Sequence, residues 1–414
     1  MQFSKFAKRF TEHSGISQLM EDLGDAMAGD GEVHMLGGGN PAHIPEVLSF
    51  FQDRMQRIAS RPAEMASIIG NYDPPAGNKL FINTLVDFFR EHFNWDIGPD
   101  NIALTAGSQS GFFILFNTLA GEFENGVRKH IMLPMSPEYI GYSELGLMDD
   151  LFIAHRPEIE TFEDRSFKYH VALDDLVVNE SIGAICVSRP CNPTGNVLTD
   201  AEVSALSDMA EENNIPLIID NAYGMPFPNI IFTDTSLTWN RNRILCMSLS
   251  KLGLPGLRTG IVIADEEIIS AIGKFNGIMN LSLGSFGPAL AQDLVQSGEI
   301  VNLSNNIIRP FYQGKAERAI ALMKKELEGV DFYVHRAEGA LFLWLWLPGL
   351  PISSEELYLR LKRRGVLVLS GHYFFPGLKE EWQHKHECLR ITYSMNDDVV
   401  SEGIRIIADE IKSL

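Results

Sequence analysis

The sequence predicts an α/β protein: a mostly parallel central sheet with flanking helices, joined by a smaller α+β domain. Two observations point there. Short, continuous apolar runs alternate with helical stretches over roughly residues 60–300. The unusual residues, among them glycines, Asn-Pro pairs, an aspartate and a lysine, collect where those runs end. Ligands in open parallel sheets sit at strand exits, so fold and site are read from the same residues. The expected division is an N-terminal segment, 1–59, that belongs with the small domain, a large ligand-binding domain, 60–305, and a C-terminal small domain, 306–414.

The elements follow in chain order. Helical spacing around Ile16, Leu19, Met20 and Leu23 stops at Gly37-Gly38-Gly39-Asn40-Pro41, where successive glycines let backbone approach a ligand. Asn71 to Gly77 is turn chemistry, with Tyr72 its aromatic. Residues 102–105 form a strand, and Gly107, Ser108 and Gln109 open a helix over 112–119. Strand, glycine-serine loop and helix together offer unpaired N–H groups and a positive dipole end to an anion. Further strands are expected at 131–134, leading to Tyr139; at 184–188, leading to Asn192-Pro193-Thr194-Gly195; and at 216–219, leading to Asp220 and Tyr223. Asp220 follows a wholly apolar run, so its carboxylate is partly desolvated and needs a partner. A long charged helix from about residue 308 then precedes strands at 340–347, 366–369 and 388–393, with an aromatic loop at 371–377.

Lys251 is the centre of the chemistry. A strand at 244–247 runs into Ser248, Ser250, Lys251, Gly253, Gly256 and Arg258, which combine an amine able to form a Schiff base with donors for a phosphate. Ser248-Leu249-Ser250-Lys251 also matches the S-x-x-K of serine β-lactamases, with Arg258-Thr259-Gly260 as a degenerate K-T-G. The context rejects that reading, because a strand precedes, Gly and Pro follow, and no Ser-Asp-Asn occurs.

Composition narrows the classes. A net charge of −20 argues against nucleic-acid binding. Apolar runs are too short to span a bilayer, and the first residues lack the apolar core of a secretory signal, so a cytoplasmic protein away from membranes is expected. The 4 cysteines lack C-x-x-C spacing, and His384, His386 and Cys388 have no second ligand cluster, so neither disulfides nor a metal site is expected.

Taken together, these motifs resemble the pyridoxal-phosphate-dependent aminotransferases of fold type I, class I/II, over nearly the whole chain. The likeness rests on their order: Gly37 to Pro41, Tyr72 with Gly77, Asn192 to Gly195, Asp220 with Tyr223, Ser248 to Lys251 with Arg258, and Arg390. The resemblance implies pyridoxal 5′-phosphate carried by Lys251, with Asp220 on its ring nitrogen, Tyr223 and Asn192 on its phenolic oxygen, and Tyr139 on its ring face. It implies a phosphate held by Gly107, Ser108, Gln109, Ser248, Ser250 and Arg258, and a substrate carboxylate held by Arg390, Asn192 and Gly39. It also implies a homodimer in which Tyr72 reaches the phosphate of the opposite site. Within the family, Pro137-Glu138-Tyr139-Ile140-Gly141-Tyr142 and the loop at 371–377 resemble bacterial members acting on valine and pyruvate. Valine or alanine with pyruvate or 2-oxoisovalerate are the implied substrates. Other aliphatic amino acids, or C–S bond lysis with the same cofactor, are the alternatives. Ile16 and Tyr373 or Phe374 are expected in the apolar wall, and Arg189 is the cation left for a second carboxylate. Arg189 and Asn221 depart from the residues common at their places in the family.

Overall fold

The computed structural model describes residues 2–11, 24 and 33–414. The helical spacing read at Ile16, Leu19, Met20 and Leu23 lies outside the described residues, as does Ile16 as a pocket residue. The large sheet has 8 strands, in the order Ile102–Thr105, Gly260–Ile263, Arg243–Ser248, Leu217–Asp220, Ile182–Ser188, Arg128–Leu133 and Gly121–Glu122, with Phe152–Ala154 also paired to Arg128–Leu133. Pairing is parallel from Arg243–Ser248 through Leu217–Asp220 and Ile182–Ser188 to Arg128–Leu133, and Gly260–Ile263 runs antiparallel to both its neighbours. Every residue of Ile182–Ser188 is buried, as expected of a strand covered on both faces.

Register brings the chemistry to one edge. Asp220 is paired with both Ser188 and Cys246, so the ends of adjacent parallel strands deliver Ser188, Asp220 and Ser248 side by side. Strand Ile102–Thr105 ends at the same edge and turns through Gly107, at φ +83°, into helix Ser108–Leu119. Gly260 makes that turn possible, because a Cβ there would lie 2.7 Å from the Ser108 nitrogen.

A second sheet has 6 strands: Leu369–Ser370, Cys388–Thr392, Phe342–Trp346, Tyr333–His335, Ser166–His170 and Glu158–Thr161. Its last two strands come from the middle of the chain and were not legible as an apolar run, since Glu158–Thr161 carries an exposed, charged edge. Residues His34–Met35 pair in parallel with Val366–Leu367, which ties the N-terminal segment to the C-terminal α+β region. Helix Arg309–Glu326 packs on helix Asp397–Lys412.

Two polar ties fix the loops that the site uses. Buried Lys168 donates to Asn196 at 3.1 Å and the Val197 carbonyl at 3.0 Å and pairs with Glu338, which anchors the loop after Ile182–Ser188 to the second sheet. The glycine segment is held by the Thr392 amide on the Leu36 carbonyl at 2.8 Å and by the Ser394 hydroxyl on the Asn40 carbonyl at 2.8 Å.

Candidate active site

Between the large-sheet edge and the glycine segment lies a cavity of about 620 Å³. Lys251 stands on a short turn, Ser250–Leu252, directly after strand Arg243–Ser248, and its Nζ donates to the Gly39 carbonyl at 2.6 Å. That amine also lies 5.2 Å from the centre of the Tyr223 ring. Burial, helped by Arg390 and Arg258, pulls the Lys251 pKa down to about 8, while Asp220 works in the opposite sense. A lysine so placed yields its free base far more readily than a solvated one.

Asp220 is the acid facing it. Its Oδ2 accepts the Tyr142 hydroxyl at 2.8 Å and its Oδ1 accepts the Ala222 amide at 3.0 Å. Burial raises its pKa to about 6, and those hydrogen bonds together with the Lys251 charge limit the rise. Both oxygens act as acceptors, the pattern of an ionised carboxylate.

The opposite wall carries Arg390, which is 2 % exposed. Its Nη1 donates to Asn192 Oδ1 at 2.8 Å and its Nη2 to the Gly37 carbonyl, while Nε is buried without a partner. Its guanidinium carbon sits 4.2 Å from the Phe342 ring centre and 5.2 Å from that of Phe374, and burial lowers its pKa to about 10. Among the described residues no carboxylate is paired with Arg390, and the guanidinium, which lines the cavity, has a further N–H on each of Nη1 and Nη2. A carboxylate ligand completes it.

At the other end, Ser108 and Gln109 open helix Ser108–Leu119 with no side-chain cap, and both line the cavity. Ser248, Ser250 and Arg258 line it too, and Arg258 Nη1 approaches the Ser250 hydroxyl at 3.5 Å. Gly107 itself is not a lining residue. It shapes this end, because a Cβ there would lie 2.3 Å from Arg258 Nη2. Tyr139 and Tyr223 also line the cavity; burial raises the pKa of both, so both phenols remain donors.

The cavity therefore gathers Gly39, Ser108, Gln109, Tyr139, Asn192, Asp220, Tyr223, Ser248, Ser250, Lys251, Arg258 and Arg390. Tyr72 stands apart, 83 % exposed on the surface. Tyr373 and Phe374 do not line the cavity. Phe374 is fully buried, against Trp344 and Arg390. Arg189 is no clamp either: it is engaged by Asp200, the Leu198 carbonyl and the Ser236 carbonyl. Sequence reading missed Met35, Ile140, Ser394 and Met395 in the wall, and Tyr142 behind Asp220. Tyr142 had one available signal, its place three residues after Tyr139 in a loop already singled out.

The donor set fits pyridoxal phosphate. An uncapped helix start beside Arg258 suits a phosphate, an ionised buried acid suits a protonated ring nitrogen, a low-pKa amine suits an aldehyde, and the unpaired guanidinium of Arg390 suits the carboxylate of an amino acid. Replacing Gly107 with Ala should push Arg258 aside and loosen the phosphate end. Equilibrium titration of the Gly107→Ala protein with pyridoxal phosphate is expected to show affinity weakened about 10- to 100-fold, the worth of one charged hydrogen bond.

Residues 35–407 match the family described as aminotransferase class I and II. The chain is 48 % identical over 412 residues to the valine–pyruvate aminotransferase of Escherichia coli strain K12, covering 100 % of this chain and 98 % of that protein. The crystal structure of valine-pyruvate aminotransferase from Salmonella typhimurium LT2 superposes with a TM-score of 0.88 at 48 % identity, covering 96 % of this chain and 98 % of that one. Aspartate aminotransferase from Thermus thermophilus shares the fold, with a TM-score of 0.79 at 17 % identity and 99 % and 100 % coverage. With a fold, a lysine-centred cavity and a full-length likeness that agree, the chain belongs to the class I and II aminotransferases, enzymes of fold type I that use pyridoxal phosphate.

Proposed function

We propose that the enzyme moves an amino group reversibly between valine or alanine and pyruvate or 2-oxoisovalerate. The observation that carries this reading is the 48 % identity over the whole chain to a valine–pyruvate aminotransferase. The cavity supports it. Among the described residues that line it, the cations are Lys251, Arg258 and Arg390. Lys251 is the carrier amine, Arg258 lies at the phosphate end, and Arg390 remains for a substrate's α-carboxylate. No lining cation is left for a second carboxylate, and the half-buried Met35 and Met395 supply an apolar wall.

Each residue then has a task. Arg390 and Asn192 orient the substrate carboxylate, through the N–H groups of Nη1 and Nη2 that are not used on Asn192 and Gly37. Lys251 Nζ would take the proton from the substrate Cα and hand it to the cofactor's aldehyde carbon, and would run the same transfer backwards for the second substrate. Asp220, ionised, would hold a proton on the cofactor's ring nitrogen, and Tyr139 and Tyr223, which line the same cavity, would hold its ring and its phenolic oxygen. Bound there, pyridoxal phosphate supplies an electron sink for the pair released at Cα.

The working unit in this reading is a cytoplasmic homodimer with shared sites. The segments next to Tyr72 carry exposed apolar side chains: Ile69 at 65 %, Leu80 at 66 %, Ile278 at 87 % and Leu281 at 62 % exposure. The segments that carry them are tied together, since Asn276 donates to the Pro75 carbonyl at 3.0 Å and Ser285 to Asp73 at 2.7 Å. Exposed apolar side chains on adjoining segments suit a two-fold partner. All the cysteines, Cys186, Cys191, Cys246 and Cys388, are free and buried, which suits a reducing compartment. Among the described residues no helix is long and apolar enough to cross a membrane.

Two measurements test these proposals. With pyruvate as acceptor, kcat/KM should rank valine first, leucine lower, and aspartate and glutamate lowest, and alanine should serve as donor with 2-oxoisovalerate as acceptor. An apolar wall separates neighbouring aliphatic side chains by only ~1–3 kcal/mol, so leucine retains some activity. Aspartate outranking valine would overturn the substrate assignment. For the dimer, an inactive Lys251→Ala chain mixed with an inactive Tyr72→Ala chain should regain activity through hybrid sites. Proven heterodimers without recovery would contradict shared sites.

A further inference from the structure

Behind Asp220 lies a second buried acid. Glu138 is 1 % exposed, and its Oε1 accepts the Ser188 amide at 3.0 Å while its Oε2 is in a short contact with the Ser188 hydroxyl. The Ser188 hydroxyl is 3.4 Å from the Tyr142 hydroxyl, the longest link of the series, and Tyr142 in turn donates to Asp220 at 2.8 Å. Ser188 and Tyr142 are themselves buried, so bulk water does not compete for these groups.

We propose that Glu138 is a neutral carboxylic acid that begins a one-way donor chain, Glu138 to Ser188 to Tyr142 to Asp220, and is thereby a positioning residue that keeps Asp220 ionised beneath the cofactor ring.

Counting donors gives the direction. Asp220 accepts at both oxygens, so the Tyr142 proton is committed to it. The Tyr142 oxygen can then only accept, and the Ser188 hydroxyl is the stronger donor within reach, beside the weak thiol donor of Cys186. With the Ser188 proton turned toward Tyr142, the short Ser188 to Glu138 contact needs its proton from Glu138. The remaining Glu138 oxygen accepts the Ser188 amide as a carbonyl does, and the Tyr139 amide is a second backbone donor to the same carboxyl group. Each hydroxyl donates once and accepts once, the arrangement in which such chains reinforce one another.

Electrostatics agrees. Among the described residues the groups facing Glu138 are Ser188, Tyr139, Tyr142, Cys186, Cys191 and Asp220, all neutral or acidic, with no cation among them to hold a second buried anion. Burial raises the Glu138 pKa to about 8, and the Asp220 charge adds to the rise. Of the two acids, the one beside Lys251 keeps the negative charge.

The inference rests on the cofactor reading above for its consequence at Asp220, but the protonation state of Glu138 does not. An infrared difference spectrum between the cofactor-free parent and Glu138→Gln at neutral pH should show loss of a protonated-carboxyl C=O band. Loss of an ionised-carboxylate band instead would overturn the proposal. Glutamine keeps the acceptor oxygen and supplies an N–H donor in place of the carboxyl O–H, so Glu138→Gln should bind pyridoxal phosphate within about 3-fold of the parent, whereas Ser188→Ala, which cuts the chain, should bind about 10-fold more weakly. The pH transition in the bound cofactor's absorbance should shift in Ser188→Ala and stay in place in Glu138→Gln. A Glu138→Gln protein that folds but loses as much affinity as Ser188→Ala, or a Ser188→Ala protein identical to the parent, would also overturn it. Failure of the parent to bind the cofactor would register separately, against the cofactor reading, while the infrared band still decides the state of Glu138.

Discussion

The constraint on which the rest depends is the upkeep of opposite charges in a dry place. Lys251 and Asp220 face one cavity, and each is shifted by burial toward its neutral form, to about 8 and about 6 respectively. Neither shift is complete because the two charges support one another. The strand register that sets Asp220 between Ser188 and Cys246, and the turn that lifts Lys251 off the neighbouring strand, are what hold them in that relation. Without a rigid parallel sheet, a carboxylate and an amine this reactive would either pair tightly or escape to water.

A second consequence is the contrast between the ends of the cavity. Arg390 is buried, packed between Phe342 and Phe374, and left with an unpartnered Nε, whereas Arg258 is exposed and lightly held by Ser250 and the Pro255 carbonyl. A buried, preoriented guanidinium selects a planar carboxylate. An exposed one beside a helix start suits a phosphate that enters once and stays.

Much of this was legible in the sequence because parallel strands are short apolar runs and chemistry sits where they stop. Asp220, Ser248, Lys251 and the Gly107 turn could be read that way from local pattern alone. Arg390 could not: it lies inside a strand, and only a resemblance marked it. The residues that escaped notice act through tertiary contact. Glu138 and Tyr142 flank an aromatic already noticed, yet nothing local says that they reach Ser188 and Asp220. Phe374 was expected in the pocket because it is aromatic and in a loop, but it packs behind Arg390 with Trp344. Arg189 looked available until Asp200, eleven residues on, was seen to engage it. The hairpin Glu158–Thr161 and Ser166–His170 was hidden by its polar edge.

The central claim is that Lys251 is the amine that carries the cofactor. Borohydride reduction of the protein loaded with pyridoxal phosphate, followed by peptide mapping, tests it directly. The account predicts one phosphopyridoxyl lysine, at Lys251, and none in Lys251→Ala. A modified peptide centred on any other lysine, with Lys251 untouched, would contradict it.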